Sequence, residues 1–126
     1  HIEVAPVQFR DLSGQAGPGE SSMTIASRVA AARRRQLQRF EPGRKVFCNA
    51  LMSSAQVRRH CRLDSETARF LRDAVERFGF SARAYDRILK LARTIADLDA
   101  SDSIGAAHIA EAVQYRALDR DFWQTA

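Results

Sequence analysis

Several hallmarks of common protein classes are scarce or missing in this sequence. Its two cysteines, Cys48 and Cys61, are too few for the disulfide framework of a small secreted domain. It has no apolar run of about 18 or more residues, which a membrane-spanning helix needs. Its first residues also lack the basic and then apolar layout of a secretory signal. We therefore expect a cytoplasmic protein with reduced thiols and no membrane contact.

The ligands of a structural metal site are not grouped as such a site requires. Zinc is usually held by closely spaced pairs of cysteine and histidine. Cys48, His60 and Cys61 do not have that spacing, and His108 lies far along the chain. Buried or unreactive thiols are the favoured interpretation, and we expect no metal.

The motifs of a complete enzyme are missing as well. Gly14, Gly17 and Gly19 are not followed by the lysine of a GxxxxGK[ST] phosphate loop. No nucleophile has an evident activating base, and no pair of carboxylates stands out. We assign no catalytic residue within this chain, and we do not expect it to be catalytic alone.

What the sequence does contain is an ordinary globular composition with one strongly basic segment. The 126 residues suit a single domain, and 45% of them are hydrophobic. Residues 21–62 hold ten basic residues and only one acid, Glu41, whereas the net charge of the whole chain is +5. A local basic block of this kind is typical of contact with a phosphate backbone.

The periodicity of apolar residues predicts a mostly α-helical protein, a small bundle of four or five helices. The predicted ranges are about 21–40, 53–61, 65–78, 82–98 and 104–118. We expect helix starts at Ser21 or Ser22, Ser53 or Ser54, Asp64, Ser81, and Asp102 or Ser103, and a left-handed stop at Gly79. The inward face of the first helix is predicted to be Ile25, Val29, Ala32, Leu37 and Phe40.

The start of the chain has a different character from the rest. Residues 2–7 predict a short strand or extended segment, which Pro6 confines to the edge of a sheet. Residues 11–20 hold three glycines and Pro18 and predict a loop or linker. The expected division is therefore 1–20 as a remnant of a preceding unit with its linker, and 21–126 as a helical domain.

The most informative segment is the start of the helix at 82–98. Arg83 lies in its first turn and Arg87 one turn later on the same face, followed by Lys90. An arginine in a first turn opposes the helix dipole, so it can be present to meet an anion. The alternative is a solvated basic face paired with Asp86 or other acids, and the pattern alone favours that alternative.

The same helix carries a resemblance to a known family. Residues 81–98 read SARAYDRILKLARTIADL, which resembles the C-terminal domain of magnesium-chelatase-related AAA+ ATPases, especially the ComM-like (YifB-like) group. Other segments agree in order and spacing: PGESS at 18–22, RVAAARRRQ at 28–36, NA at 49–50, CRL at 61–63, HIAEAV at 108–113 and YRALDR at 115–120. The resemblance covers nearly the whole chain.

The resemblance implies a function that this chain would perform as part of a longer protein. In such proteins an upstream AAA+ core binds ATP with Mg²⁺, and the helical domain is the lid that closes over the nucleotide. Residues 1–10 resemble the end of that core. The proteins form rings, usually hexamers, and the ComM-like group is associated with DNA branch migration. Ser81, Ala82 and Arg83 match the position of the sensor-2 arginine, which implies that Arg83 reaches the γ-phosphate and that Arg87 is a candidate supporting residue.

The basic segment supplies candidate DNA contacts, and other functions remain open. The candidates are Arg28, Arg33, Arg34, Arg35, Arg39, Arg58, Arg59 and Arg62. The alternative for these arginines is a solvated face, or pairing with acids of a neighbouring subunit or of the missing core. Two other functions compete with a ComM-like motor domain: the lid of a true magnesium chelatase motor subunit, and a free-standing helical DNA-binding module.

Overall fold

The structure, a computed structural model, describes residues 2, 4, 6, 7, 19–40 and 45–124. Over these residues the chain forms five α-helices and one short 3-10 turn, in agreement with the predicted small helical bundle. The elements are α1 Ser22–Arg39, the 3-10 turn Asn49–Leu51, α2 Ser54–His60, α3 Ser65–Phe78, α4 Ala82–Leu98 and α5 Ala106–Gln124.

The first four helices begin where short polar side chains can satisfy their unpaired backbone N–H groups. Each N-cap oxygen accepts a hydrogen bond from a backbone nitrogen in the first turn, and the four caps are Ser21, Ser53, Asp64 and Ser81. Gly79 ends α3 with a φ of 58°, a conformation that costs glycine little. These boundaries confirm the predicted starts and the predicted stop.

Helix α5 differs from its prediction at both ends. It begins at Ala106 and runs to Gln124, whereas 104–118 was predicted. The expected cap, Asp102, accepts a hydrogen bond from Arg35 at 2.7 Å instead. The backbone N–H of Gly105 donates to His108 Nδ1 at 2.9 Å, so a side chain inside the helix stabilises its start. The residue before it, Ile104, is buried in the core.

The core is built around α4, which contacts α1, α2, α5 and the 3-10 turn. Its buried stripe includes Ile88, Leu89, Ala92 and Ala96. Fully burying a side chain such as Ile88 stabilises the fold by roughly 1.5–3 kcal/mol. The stripe holds α4 rigidly and leaves its opposite face for other contacts.

The predicted inward face of α1 is correct at two of its five residues and wrong at the other three. Ala32 and Phe40 are buried as expected, but Ile25, Val29 and Leu37 are 41%, 45% and 55% exposed. The buried and half-buried positions of α1 and its C-cap all lie in the second half, on the face of Ala32, Gln36 and Phe40. Ile25 and Val29 precede that half, and Leu37 lies beside that face. Gln36 is buried as well, although the periodicity of apolar residues did not place it in the core.

The start of the chain is described at only a few positions. Ile2, Val4, Pro6 and Val7 belong to no helix or strand, and the rest of the predicted strand or extended segment lies outside the described residues. Of the predicted loop at 11–20, Gly19 and Glu20 are described, and both precede α1. Across the described ranges, every helix is too short or too polar to traverse a lipid bilayer.

Candidate functional site

The N-terminal half of α4 forms one wall of a cleft of about 560 Å³. The opposite wall comes from the 3-10 turn. The lining residues are Ala50, Arg83, Asp86, Arg87, Lys90, Leu91 and Thr94. Six of them belong to α4 at offsets of three or four residues, which places them on one helical face, away from the buried stripe. The cleft therefore brings together the two arginines that the sequence singled out.

Arg83 and Arg87 have no counter-ion among the described residues. Both are exposed, and neither forms a hydrogen bond or ion pair with any described residue. The nearby acid, Asp86, is engaged elsewhere, because Ser54 at the start of α2 donates a hydrogen bond to Asp86 Oδ2 at 2.8 Å. Of the alternative interpretation, the pairing with Asp86 is absent from the described residues, whereas the exposure of both arginines agrees with a solvated basic face.

The cleft has a cationic excess that suits an anionic ligand. Arg83, Arg87 and Lys90 supply three positive charges and Asp86 supplies one negative charge. The Lys90 ammonium donates to the carbonyl oxygen of Ala50 at 3.1 Å, which fixes it at the junction of the two walls. Guanidinium groups without partners are well suited to bind phosphate oxygens through paired N–H donors.

A buried polar network supports the wall of this cleft. Asn49 Nδ2 donates to Thr94 Oγ1 at 3.1 Å and to Asp97 Oδ2 at 2.8 Å. Thr94 in turn donates to the carbonyl oxygen of Lys90 at 2.9 Å. These bonds hold the 3-10 turn against α4, so the two walls of the cleft keep a fixed separation.

Asp97 is the centre of that network and is only 1% exposed. Burial opposes ionisation of Asp97, but hydrogen bonds from Arg39 and Asn49 outweigh it and hold the pKa of Asp97 below its ordinary value. Arg39 Nη1 donates to Asp97 at 2.8 Å, and Arg93 lies 3.2 Å from the same carboxylate. One buried carboxylate thus pairs with two arginines, of which Arg93 is buried and Arg39 is partly buried.

Arg93 also binds the backbone of the segment that connects α4 to α5. Its guanidinium donates to the carbonyl oxygens of Ser101 at 2.6 Å and Asp102 at 2.8 Å. Sequence reasoning missed this network. The available signal was the i,i+4 pair of Arg93 and Asp97 on α4, adjacent to the apolar stripe.

The eight candidate DNA contacts fall into two groups. Arg28, Arg35 and Arg39 form ion pairs with Glu20, Asp102 and Asp97 of this same chain, which was not predicted from the sequence, and Arg33 donates to Gln36. Exposed arginines without a hydrogen bond or ion pair to the described residues make up the second group: Arg34, Arg58, Arg59 and Arg62.

The cysteines lie in surroundings that do not activate them. Cys61 is buried, and burial raises the pKa of its thiol to about 11, so the thiol is protonated at neutral pH. Cys48 is partly buried. Within the described part of the chain, no cluster of three or more His, Cys, Asp or Glu side chains could hold a metal ion.

Comparison with known proteins places these features in a family. The family model for the C-terminal domain of magnesium chelatase subunit ChlI matches residues 19–116. The chain belongs to this family. The match includes the whole of α1 to α4 and therefore both walls of the Arg83 cleft, and it confirms the resemblance drawn from the sequence.

Individual relatives agree with the family assignment. The uncharacterised protein YifB of Escherichia coli is 48% identical over 109 residues, which are 86% of this chain and 21% of that protein. Competence protein ComM of Haemophilus influenzae is 39% identical over 119 residues, 94% of this chain and 22% of that protein. The chain spans about a fifth of the length of these relatives.

Proposed function

We propose that this magnesium-chelatase-related domain is the ATP-sensing lid of a ComM-like AAA+ ATPase. In this proposal Arg83 contacts the terminal phosphate of an ATP·Mg²⁺ held by a core elsewhere in the full-length protein. Arg87 supports the same contact from one helical turn away. The observation that carries the proposal is that Ser54 holds Asp86, which leaves both guanidinium groups without a carboxylate among the described residues.

The proposed role follows from the chemistry of phosphoryl transfer. Negative charge on the γ-phosphate has to be stabilised in the transition state, and water has to be kept away from the reacting groups. An arginine on a separate helical domain can do this only when that domain has closed over the nucleotide. The ATP state would then control the lid angle and drive motion of a ring, for which we propose a hexamer.

The work of such a motor would be the remodelling of DNA, including branch migration. The ComM relative supports this assignment over the alternative of a magnesium chelatase motor subunit, which the description of the family model favours. The two functions are separated by testing the full-length protein for ATP-dependent movement of branched DNA and for Mg²⁺ insertion into protoporphyrin. Activity in the second assay alone would contradict the ComM-like assignment.

The sensor role is tested by ATP hydrolysis in the full-length protein. Arg83→Ala should lower the rate by about 10-fold or more, because a charge-assisted contact contributes ~1.5–3 kcal/mol. The matched control is Arg72→Ala, since Arg72 is an exposed arginine of α3 outside the cleft. Hydrolysis at the wild-type rate in Arg83→Ala would contradict the proposal.

The domain alone should bind ATP weakly if at all. Without a core to hold the nucleotide, Arg83 and Arg87 offer a few charged contacts and no enclosed site for the base. Isothermal titration of this 126-residue chain with ATP checks the expectation. Tight binding would show that the cleft is a complete nucleotide site and would contradict the lid assignment.

A further inference from the structure

A second cleft, of about 470 Å³, lies where the end of α1 meets α2. It shares no lining residue with the Arg83 cleft. The residues around it are Arg39, Phe40, Lys45, Val46, Ser53, Gln56, Arg59 and His60. Neither the family match nor the names of the relatives assign a role to this cleft.

Two cations of this second cleft have no partner in the part of the chain that the structure describes. Arg59 and Lys45 are exposed and form no hydrogen bond or ion pair with the described residues. None of the described side chains that line the cleft is acidic. Gln56 uses its carbonyl oxygen to accept from the Ser53 backbone at 2.9 Å, and its amide nitrogen has no partner among the described residues.

The floor of the second cleft adds to the positive potential. Arg39 is 14% exposed there, and it shares the single carboxylate of Asp97 with Arg93, so this buried group carries one excess positive charge. The same positive charges affect the pKa of His60. Burial lowers the pKa of His60, and the positive charges of Arg59 and Arg39 lower it further.

The positive surface continues beyond the second cleft. Arg58 on α2 and Arg62 just after it are exposed and make no hydrogen bond or ion pair with the described residues. Inside the cleft, Phe40 packs edge-on against the His60 ring with centroids 5.8 Å apart, which fixes the ring in place. A fixed cationic pocket that opens onto further cations suits a ligand with several anionic groups rather than a single ion.

We propose that this second cleft binds the phosphodiester backbone of a nucleic-acid strand. Arg59 and Lys45 contact one phosphate, the Gln56 amide donates to it, and Arg58 and Arg62 meet phosphates on either side. The contacts are to the backbone alone, so binding is independent of base sequence and weakens steeply with salt. The inference rests on the proposed action on DNA and does not involve Arg83.

The test is fluorescence anisotropy of this 126-residue chain with labelled single-stranded and duplex oligonucleotides at several salt concentrations. At ~50 mM salt, Arg59→Glu should weaken binding by about 10-fold and reduce the log–log salt slope by about one. Lys45→Glu should act in the same direction. The matched control Arg72→Glu makes the same charge change on α3, away from the cleft, and should cost markedly less. Circular dichroism establishes that each variant is folded.

Competition identifies the chemical class of the ligand. Unlabelled oligonucleotide should displace the probe at far lower concentration than inorganic phosphate, ATP or polyglutamate. An equal loss in Arg59→Glu and Arg72→Glu, or no binding at ~50 mM salt, would overturn the proposal. Displacement by polyglutamate as effectively as by oligonucleotide would overturn it too, since the cleft would then accept acidic protein segments.

Failure of this inference can be told apart from failure of the proposed function. In the full-length protein, Arg59→Glu should impair DNA binding while ATP hydrolysis without DNA stays at the wild-type rate. Arg83→Ala should give the opposite result. If the full-length protein moves branched DNA and Arg59→Glu leaves its DNA affinity unchanged, the inference about the second cleft is wrong and the proposed function stands.

Discussion

Helix α4 carries arginines at both ends, and the structure surrounds them in opposite ways. Near its start, Arg83 and Arg87 are exposed, and Ser54 holds Asp86, the one acid among the described residues that line their cleft. Near its end, Arg93 is buried against Asp97, which it shares with Arg39. The comparison teaches that the placement of carboxylates, rather than the number of arginines, separates the arginines that stabilise the fold from those left available to a ligand.

The largest effect should follow from removing the carboxylate at the buried end. Asp97→Asn leaves Arg39 and Arg93 with no buried negative charge and should destabilise the domain by about 3–5 kcal/mol. Urea denaturation measures the free energy of unfolding. The control is Asp86→Asn at the other end of α4, which should cost less than about 1 kcal/mol. Equal losses at the two acids would remove the distinction between the two ends.

Replacing one arginine at each end sharpens the same comparison. Arg93→Met removes hydrogen bonds to Ser101 and Asp102 and should lower the free energy of unfolding by about 2 kcal/mol. Arg83→Met removes no hydrogen bond or ion pair to a described residue and should change stability by less than about 0.5 kcal/mol. Thermal unfolding of the two variants provides the measurement. A large loss in Arg83→Met would reveal a structural role for that residue.

A smaller effect should come from releasing Asp86. Ser54→Ala removes the hydroxyl that holds this carboxylate, which can then turn towards Arg83 and compete with an incoming phosphate. ATP hydrolysis by the full-length protein should fall by about 2- to 3-fold, equivalent to well under 1 kcal/mol. Ser54→Thr keeps a hydroxyl and serves as the control. Combining Ser54→Ala with Asp86→Asn should restore the rate, and failure to do so would contradict this role of Ser54.

The smallest expected effect is a change in folding stability with pH that depends on His60. The pKa of His60 is lowered in the folded state, so the unfolded chain binds the proton more readily and stability falls as pH drops below the ordinary histidine pKa of 6.5. Solvent screening should keep the loss below about 0.5 kcal/mol. His60→Gln should flatten the stability profile between about pH 6.5 and 5. An unchanged slope there would contradict this assignment.

Asp97 should make the stability of the domain depend on pH in a more acidic range. Because its folded pKa is lowered from 3.8, its contribution is complete above that value and is lost as the pH falls further. The wild-type protein should therefore lose stability below about pH 4, and Asp97→Asn should show a weaker loss there. Melting temperatures of both proteins against pH test the assignment.

The helix boundaries could be predicted because their causes are local. Ser53, Asp64 and Ser81 each stabilise the first turn that follows them, and Gly79 adopts the left-handed stop. A cap depends on residues within one turn, so the sequence alone contains the information.

The parts that could not be predicted depend on contacts between distant segments. Ile25 and Val29 repeat at helical spacing, yet they are exposed and precede the half of α1 that holds its buried positions. Asp102 resembled a helix cap, but it lies opposite Arg35 in the fold. The bond between Ser54 and Asp86 joins residues 32 positions apart, and no periodic pattern encodes it.

The central claim concerns the contact between Arg83 and a γ-phosphate, and nucleotide discrimination tests it most directly. The measurement is the ratio of the dissociation constants for ADP and for a non-hydrolysable ATP analogue, in full-length wild type and Arg83→Ala. Loss of one charge-assisted contact made only to the terminal phosphate should reduce that ratio by about 10-fold or more. An unchanged ratio, with both nucleotides still bound, would show that Arg83 does not sense the γ-phosphate.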